Sequence, residues 1–125
     1  MLAMQLAAYK KVQMSDMSGR EIEASVLTKA ANLLEECQCR WEAEGHFQRL
    51  DEALNYNQKI WTIFQLELAQ ETNPLPKEIR INILRLSIFL DRRILEVMAH
   101  PSPEKLKIII DINRNIAAGL RSSAG

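Results

Sequence analysis

The side chains best equipped for chemistry in this 125-residue chain are two histidines, His46 and His100, and two cysteines, Cys37 and Cys39. An imidazole acts as a general base or metal ligand only when partners converge on it. Neither histidine stands in a His-Glu-x-x-His, Glu-x-x-His or Cys-x-x-Cys setting. His46 follows the helix-breaking Gly45, and His100 stands where a positive charge would suit a helix C-terminus, so a structural role is expected of both. On a helix, Cys37 and Cys39 would point about 200° apart, which forbids a disulfide between them and joint metal ligation. They read as reduced thiols of a cytosolic protein. Four Gly, three Phe, two Tyr and two Trp leave little material for a phosphate loop or a base-stacking platform. No nucleophile, base and stabiliser converge in the pattern, so neither an enzyme nor a cofactor or metal site is expected.

Polar residues on apolar faces are more informative. Asn57 and Asn113 each fall on the apolar seam of a helix, where an unpaired amide is costly and needs partners. Two roles are open: they bond across the bundle or to a nearby loop and fix helix register, or they line a groove for a partner helix. Trp61 divides the same way, between core and interface anchor. Asp111 and Arg114, flanking Asn113, could pair with each other at i, i+3 on a solvated face or reach a partner.

The elements that carry these residues follow from spacing. Ser18 and Glu21 form a capping box, and Ile22, Val26, Leu27, Ala30, Leu33, Leu34, Cys37 and Trp41 make one stripe to about Glu44, where Gly45 offers a left-handed stop. Before it, Leu2, Leu6, Tyr9 and Val12 predict a short, frayed helix within residues 1–17. A second long helix starts at Phe47 with Leu50, Leu54, Asn57, Trp61, Phe64 and Leu68, and closes near Thr72-Asn73-Pro74-Leu75-Pro76. A third runs from Pro76 to Ala99. Its stripe of Ile79, Ile83, Leu86, Leu90, Ile94 and Val97 is widened by Ile81, Leu84, Ile88 and Leu95, which predicts a central helix with neighbours on two sides. Ser102-Pro103-Glu104 predicts the N-cap of a last helix that buries Leu106, Ile109, Ile110, Asn113, Ile116, Ala117 and Leu120. Gly119 there could admit another backbone, and residues 122–125 are expected to be loose. The expected fold is all-α: a single domain over 1–125, a bundle of four main helices plus a short N-terminal one. Sixteen basic and sixteen acidic residues cancel, which disfavours direct nucleic-acid binding. No apolar run is long enough to span a membrane and no export signal is read, so a soluble, cytoplasmic protein is expected.

Four ordered motifs then stand out: Ala53-Leu54-Asn55-Tyr56-Asn57-Gln58-Lys59-Ile60-Trp61; Asn73-Pro74-Leu75-Pro76 with Arg80; Leu86-Ser87-Ile88-Phe89-Leu90; and Ile109-Ile110-Asp111-Ile112-Asn113-Arg114-Asn115-Ile116 with Gly119-Leu120. In order and spacing, over Leu54 to Leu120, the chain resembles the FlaF flagellar regulator family of alphaproteobacteria. The first third is similar more weakly, through Ala8-Tyr9 and the helix from Ser18, and His100-Pro101-Ser102-Pro103 departs from the pattern. The resemblance implies a small cytoplasmic protein needed for flagellin synthesis or secretion. It would act with or against the flagellin translation regulator FlbT, and engage flagellin itself.

The residues that would carry binding, or serve as structural motif, are Leu54, Asn57, Trp61, Leu75, Pro76, Arg80, Asp111, Asn113, Arg114, Gly119 and Leu120. Physically, an α-bundle with an exposed apolar groove could cover an amphipathic flagellin segment by helix-in-groove packing. The alternatives are a post-transcriptional regulator of flagellin messenger RNA acting through FlbT without flagellin contact, and a homo-oligomer formed through the broad face of Pro76 to Ala99.

Overall fold

The computed structural model describes residues 19–124 and, for side chains, residues 19–122. The leading helix expected within residues 1–17 and the Ser18 cap lie outside the described residues. Four helices follow: α1 (Gly19–Cys39), α2 (His46–Leu68), α3 (Lys77–Ala99) and α4 (Leu106–Ala124), the last entered through a 3-10 turn, Pro103–Lys105. No strand occurs among the described residues, and the all-α bundle is the fold.

Apolar side chains three and four apart give each helix one face to bury, and alanines decide how closely those faces approach. Ala24, Ala30 and Ala31 of α1, Ala53 of α2 and Ala117 of α4 are all buried. They let α1 lie tightly between α2 and α4 while Leu27, Leu34, Leu54, Trp61, Leu106 and Ile109 fill the core around them. Each fully buried Leu or Ile contributes roughly 1.5–3 kcal/mol.

The order of cross-links gives the direction of packing. Arg121 donates to Thr28 Oγ1, Arg114 reaches Asn32 and Glu35, and Gln38 Nε2 donates to the Pro103 carbonyl at 3.0 Å, so α4 runs antiparallel to α1. Helix α2 returns along α1, and α3 returns along α2 with Gln65 Nε2 donating to Asp91 at 3.0 Å. The start of α1, the end of α2, the start of α3 and the end of α4 therefore share one end of the bundle.

Several expectations need correction. Helix α1 stops at Cys39, not near Glu44, because its buried stripe ends at Cys37 and the chain turns through 40–45. Trp41 packs on the His46 ring there, with centroids 4.3 Å apart, instead of continuing the helical face. Gly45 is left-handed, with φ 80°, but it opens α2 and does not close α1. Arg49 locks this turn by donating to the carbonyls of Arg40, Ala43 and Glu44.

At the far end Ser102 is extended and precedes the Pro103 turn, yet its hydroxyl makes no capping bond. Lys105 Nζ instead ties the connection to the His100 carbonyl at 2.7 Å. Residues 122–124 continue α4 where a loose end was expected, with Ser122 Oγ donating to the Ala118 carbonyl.

The largest correction concerns α3. It has neighbours on two sides, α2 and α4, but it buries only Ile83, Ser87, Leu90, Ile94 and Val97 and leaves Ile79, Ile81, Ile88 and Leu95 exposed, so it is not the central helix. The alanine-bearing α1 takes the central place because small side chains permit contact on two sides.

Candidate functional site

Three polar side chains meet in the apolar centre. Trp61 Nε1 donates to Asn113 Oδ1 at 2.8 Å, Asn113 Nδ2 donates to Asn57 Oδ1 at 2.7 Å, and Asn57 Nδ2 donates to the carbonyls of Ala53 at 2.8 Å and Ala30 at 3.2 Å. All three are fully buried. An indole N–H can only donate, so Asn113 must turn its oxygen to Trp61. That puts its amide nitrogen against the oxygen of Asn57, whose own nitrogen must then find carbonyls. One fixed donor orients the whole relay and joins α2, α4 and α1. Of the two roles open for Asn57, Asn113 and Trp61, the geometry places them in the cross-bundle one, and Leu54, also buried, packs in the same core.

The Asn73-Pro74-Leu75-Pro76 motif with Arg80 closes the α2–α3 connection. Asn73 Oδ1 accepts from Leu75 N at 3.0 Å and its Nδ2 donates to the Glu67 carbonyl. Arg80 donates to the carbonyls of Gln70 at 2.9 Å and Leu68 at 3.4 Å. These bonds satisfy acceptors left over at the end of α2. Pro76 is the exposed N-cap of α3, one position before the expected first turn, and its carbonyl accepts from Arg80 N.

Asp111 and Arg114 do not pair with each other. Asp111 takes Lys107 at 2.8 Å, one turn back on α4, while Arg114 crosses to Glu35 of α1 at 2.8 Å and Asn32 at 3.3 Å. The hydrogen bond from Arg114 holds the Glu35 carboxyl below its usual range.

The end of the bundle shared by the starts of α1 and α3 carries a groove of about 310 Å³ between α3 and α4. Leu75, Ile79, Ile83, Leu86, Ile116 and Leu120 give it apolar walls, with Asn82 and Asn115 at its polar edge. Gly119 lies in its lining. No backbone of the described residues approaches it, contrary to expectation, and a Cβ there would meet none of their atoms within 4 Å. A larger and more open recess of about 580 Å³ is lined by Asn55, Gln58, Lys59, Thr62, Ile63 and Asp91. The groove thus gathers Leu75, Gly119 and Leu120 from the expected set and leaves Asn57, Trp61, Asn113, Asp111 and Arg114 elsewhere.

Ile79, Ile83, Leu86 and Ile116 fall on the apolar stripes; Ile83 is buried, Leu86 and Ile116 pack partly against the core and Ile79 is exposed, and nothing in helical spacing alone distinguishes a wall shared with a neighbour from one left open. Near the same end, Glu23 and Glu67 are buried together. Desolvation pushes the Glu23 carboxyl up despite Arg20 at 3.3 Å, and the Glu67 charge adds to the rise. Cys37 is buried, which raises its thiol pKa, and Cys39 is exposed; both are free thiols. His46 packs at a tilt between Trp41 and Phe47, and the backbone N–H of His100 caps α3. No helix of the described residues is long and apolar enough to cross a membrane.

Among curated proteins and among solved structures nothing matches this chain. The family model described as flagellar protein FlaF matches residues 5–120, nearly the whole sequence and all four motifs that the relay, the α2–α3 latch and the groove explain. The chain therefore belongs to the FlaF family of flagellar proteins.

Proposed function

We propose that this FlaF-family chain is a non-catalytic adaptor that promotes flagellin synthesis or secretion by holding an amphipathic flagellin segment in the α3–α4 groove, and that it acts with FlbT in the cytoplasm. The observation that carries the reading is the apolar groove whose lining, among the described residues, leaves space at Gly119. An amphipathic helix sheds water from its apolar stripe on entering such a groove, which supplies both affinity and protection from self-association. Zero net charge makes a direct messenger RNA contact a poor alternative, so an effect on translation would pass through FlbT.

Gly119→Leu is the discriminating variant. It fills the groove from within, and replacing a helical glycine with leucine adds roughly 0.5–1 kcal/mol of helix propensity, so the fold is retained. Calorimetric titration with purified flagellin should give a micromolar complex that Gly119→Leu weakens at least about tenfold, a loss of about 1.4 kcal/mol. No complex with the wild-type chain overturns the proposal. Equal binding by both chains overturns the groove.

A further inference from the structure

Ile81, Ile88 and Leu95 succeed one another at seven-residue spacing on the outward side of α3 and are 37%, 55% and 59% exposed. That spacing keeps them in one stripe about 21 Å long, the seam with which a helix meets another helix. Met98, one turn beyond Leu95, flanks its far end, while Phe89 lies about 100° round the helix beneath the Arg93 guanidinium. The bundle is already served by the opposite side, where Ile83, Ser87, Leu90, Ile94 and Val97 are buried. The stripe also lies apart from the groove wall formed by Ile79, Asn82, Ile83 and Leu86.

Charge indicates what covers this stripe. Arg85 and Arg92 follow Ile81 and Ile88 by four residues, which sets both guanidinium groups along one flank of the stripe. Both are exposed, and neither has an ion pair or hydrogen bond among the described residues. The other charges in this half of the helix are engaged. Arg93 pairs with Glu96, Glu96 also meets Lys105, and Asp91 accepts from Gln65. Glu78, a turn before Ile81, is the acid of that row. A second copy of this chain fits poorly: an antiparallel pairing that covers the whole stripe sets Arg85 against Arg92 of the copy.

We propose that the outward face of α3 is a second docking surface, independent of the groove, that receives an amphipathic helix from another protein. That helix would carry carboxylates seven residues apart beside its apolar seam. The seam packs on Ile81, Ile88 and Leu95 while the carboxylates neutralise Arg85 and Arg92, at a surface where salt weakens the charged part of the contact.

The test uses the full chain and a fluorescein-labelled synthetic helix of about 22 residues, long enough to span the stripe. Leucines form its seam and glutamates flank it; a second peptide carries lysines in place of the glutamates. Fluorescence anisotropy should show the glutamate peptide binding at least tenfold tighter than the lysine peptide. The double variant Arg85→Glu/Arg92→Glu should reverse that order, and Leu95→Ser should weaken both. Gly119→Leu should change neither, which separates this surface from the groove. All these positions are exposed, so the variants retain the core, and circular dichroism verifies it.

Equal affinity for the two peptides, or an order that charge reversal leaves unchanged, overturns the proposal. Loss of binding in Gly119→Leu assigns the peptide to the groove and overturns it as well. So do a dimer in sedimentation that Ile88→Asp dissolves, and a photocrosslinker at position 88 that captures residues 1–18 of its own chain.

Discussion

Trp61 has one polar atom, and because that atom can only donate, two asparagines and two backbone carbonyls beyond it are set in a single arrangement. Asn113→Leu would leave the indole N–H and the Asn57 oxygen without partners inside the core. At about 1–3 kcal/mol for each orphaned group, urea unfolding should show a loss of roughly 2–6 kcal/mol. A loss below about 1 kcal/mol would mean that the relay adds no stability. The seam positions of Asn57 and Asn113 and their need for partners were legible from helical spacing. Their union with Trp61 was not, because it depends on how α2 and α4 are rotated across α1.

Glu23 makes a second prediction at this scale. Burial raises its pKa above the ordinary 4.5, so the neutral carboxyl is the form the fold prefers. The stability this preference contributes is complete below pH 4.5 and is lost as pH rises through the folded-state value. Glu23→Gln, neutral at every pH, should match the wild type near pH 4 and gain on it above that window. Calorimetric melting across pH 4–8 checks the sign; a gap that closes as pH rises contradicts it.

Among the elements, the turn between α1 and α2 depends on one backbone conformation. Gly45 at φ 80° lies where a Cβ is strained, and Arg49 gathers three carbonyls around it. Gly45→Ala should therefore destabilise by about 1–2 kcal/mol, read from the urea midpoint, even though the nearest side-chain atom, from Arg49, stands 3.5 Å from the added carbon. The sequence pattern marked Gly45 as a break but assigned it to the wrong helix. Apolar residues up to Trp41 extended the apparent stripe of α1, and Trp41 spends its surface on His46.

The same difficulty misplaced α3. Periodicity measures how much of a helix is apolar, and α3 is apolar on more than one side. Which side a neighbour covers depends on how α2 and α4 lie against it, which the stripe of α3 alone does not record.

For the whole molecule, the order of the four described helices and the family were readable, since apolar spacing, the prolines between helices and four ordered motifs agree with one arrangement. The groove and the outer flank of α3, uncovered among the described residues, were not, because an uncovered wall and a covered one are built from the same residue types. The binding experiments with Gly119→Leu and with Arg85→Glu/Arg92→Glu act at this level: each removes one surface and leaves the other in place.

The antiparallel course of α1 and α4 has a practical side. Gly19 and Ala124 both emerge at the end of the bundle that holds the groove, whereas the turns at 40–45 and 100–105 lie at the opposite pole. A reporter joined at the end of α4 would therefore stand beside the mouth of that groove. A reporter inserted into the 100–105 turn would leave that mouth clear.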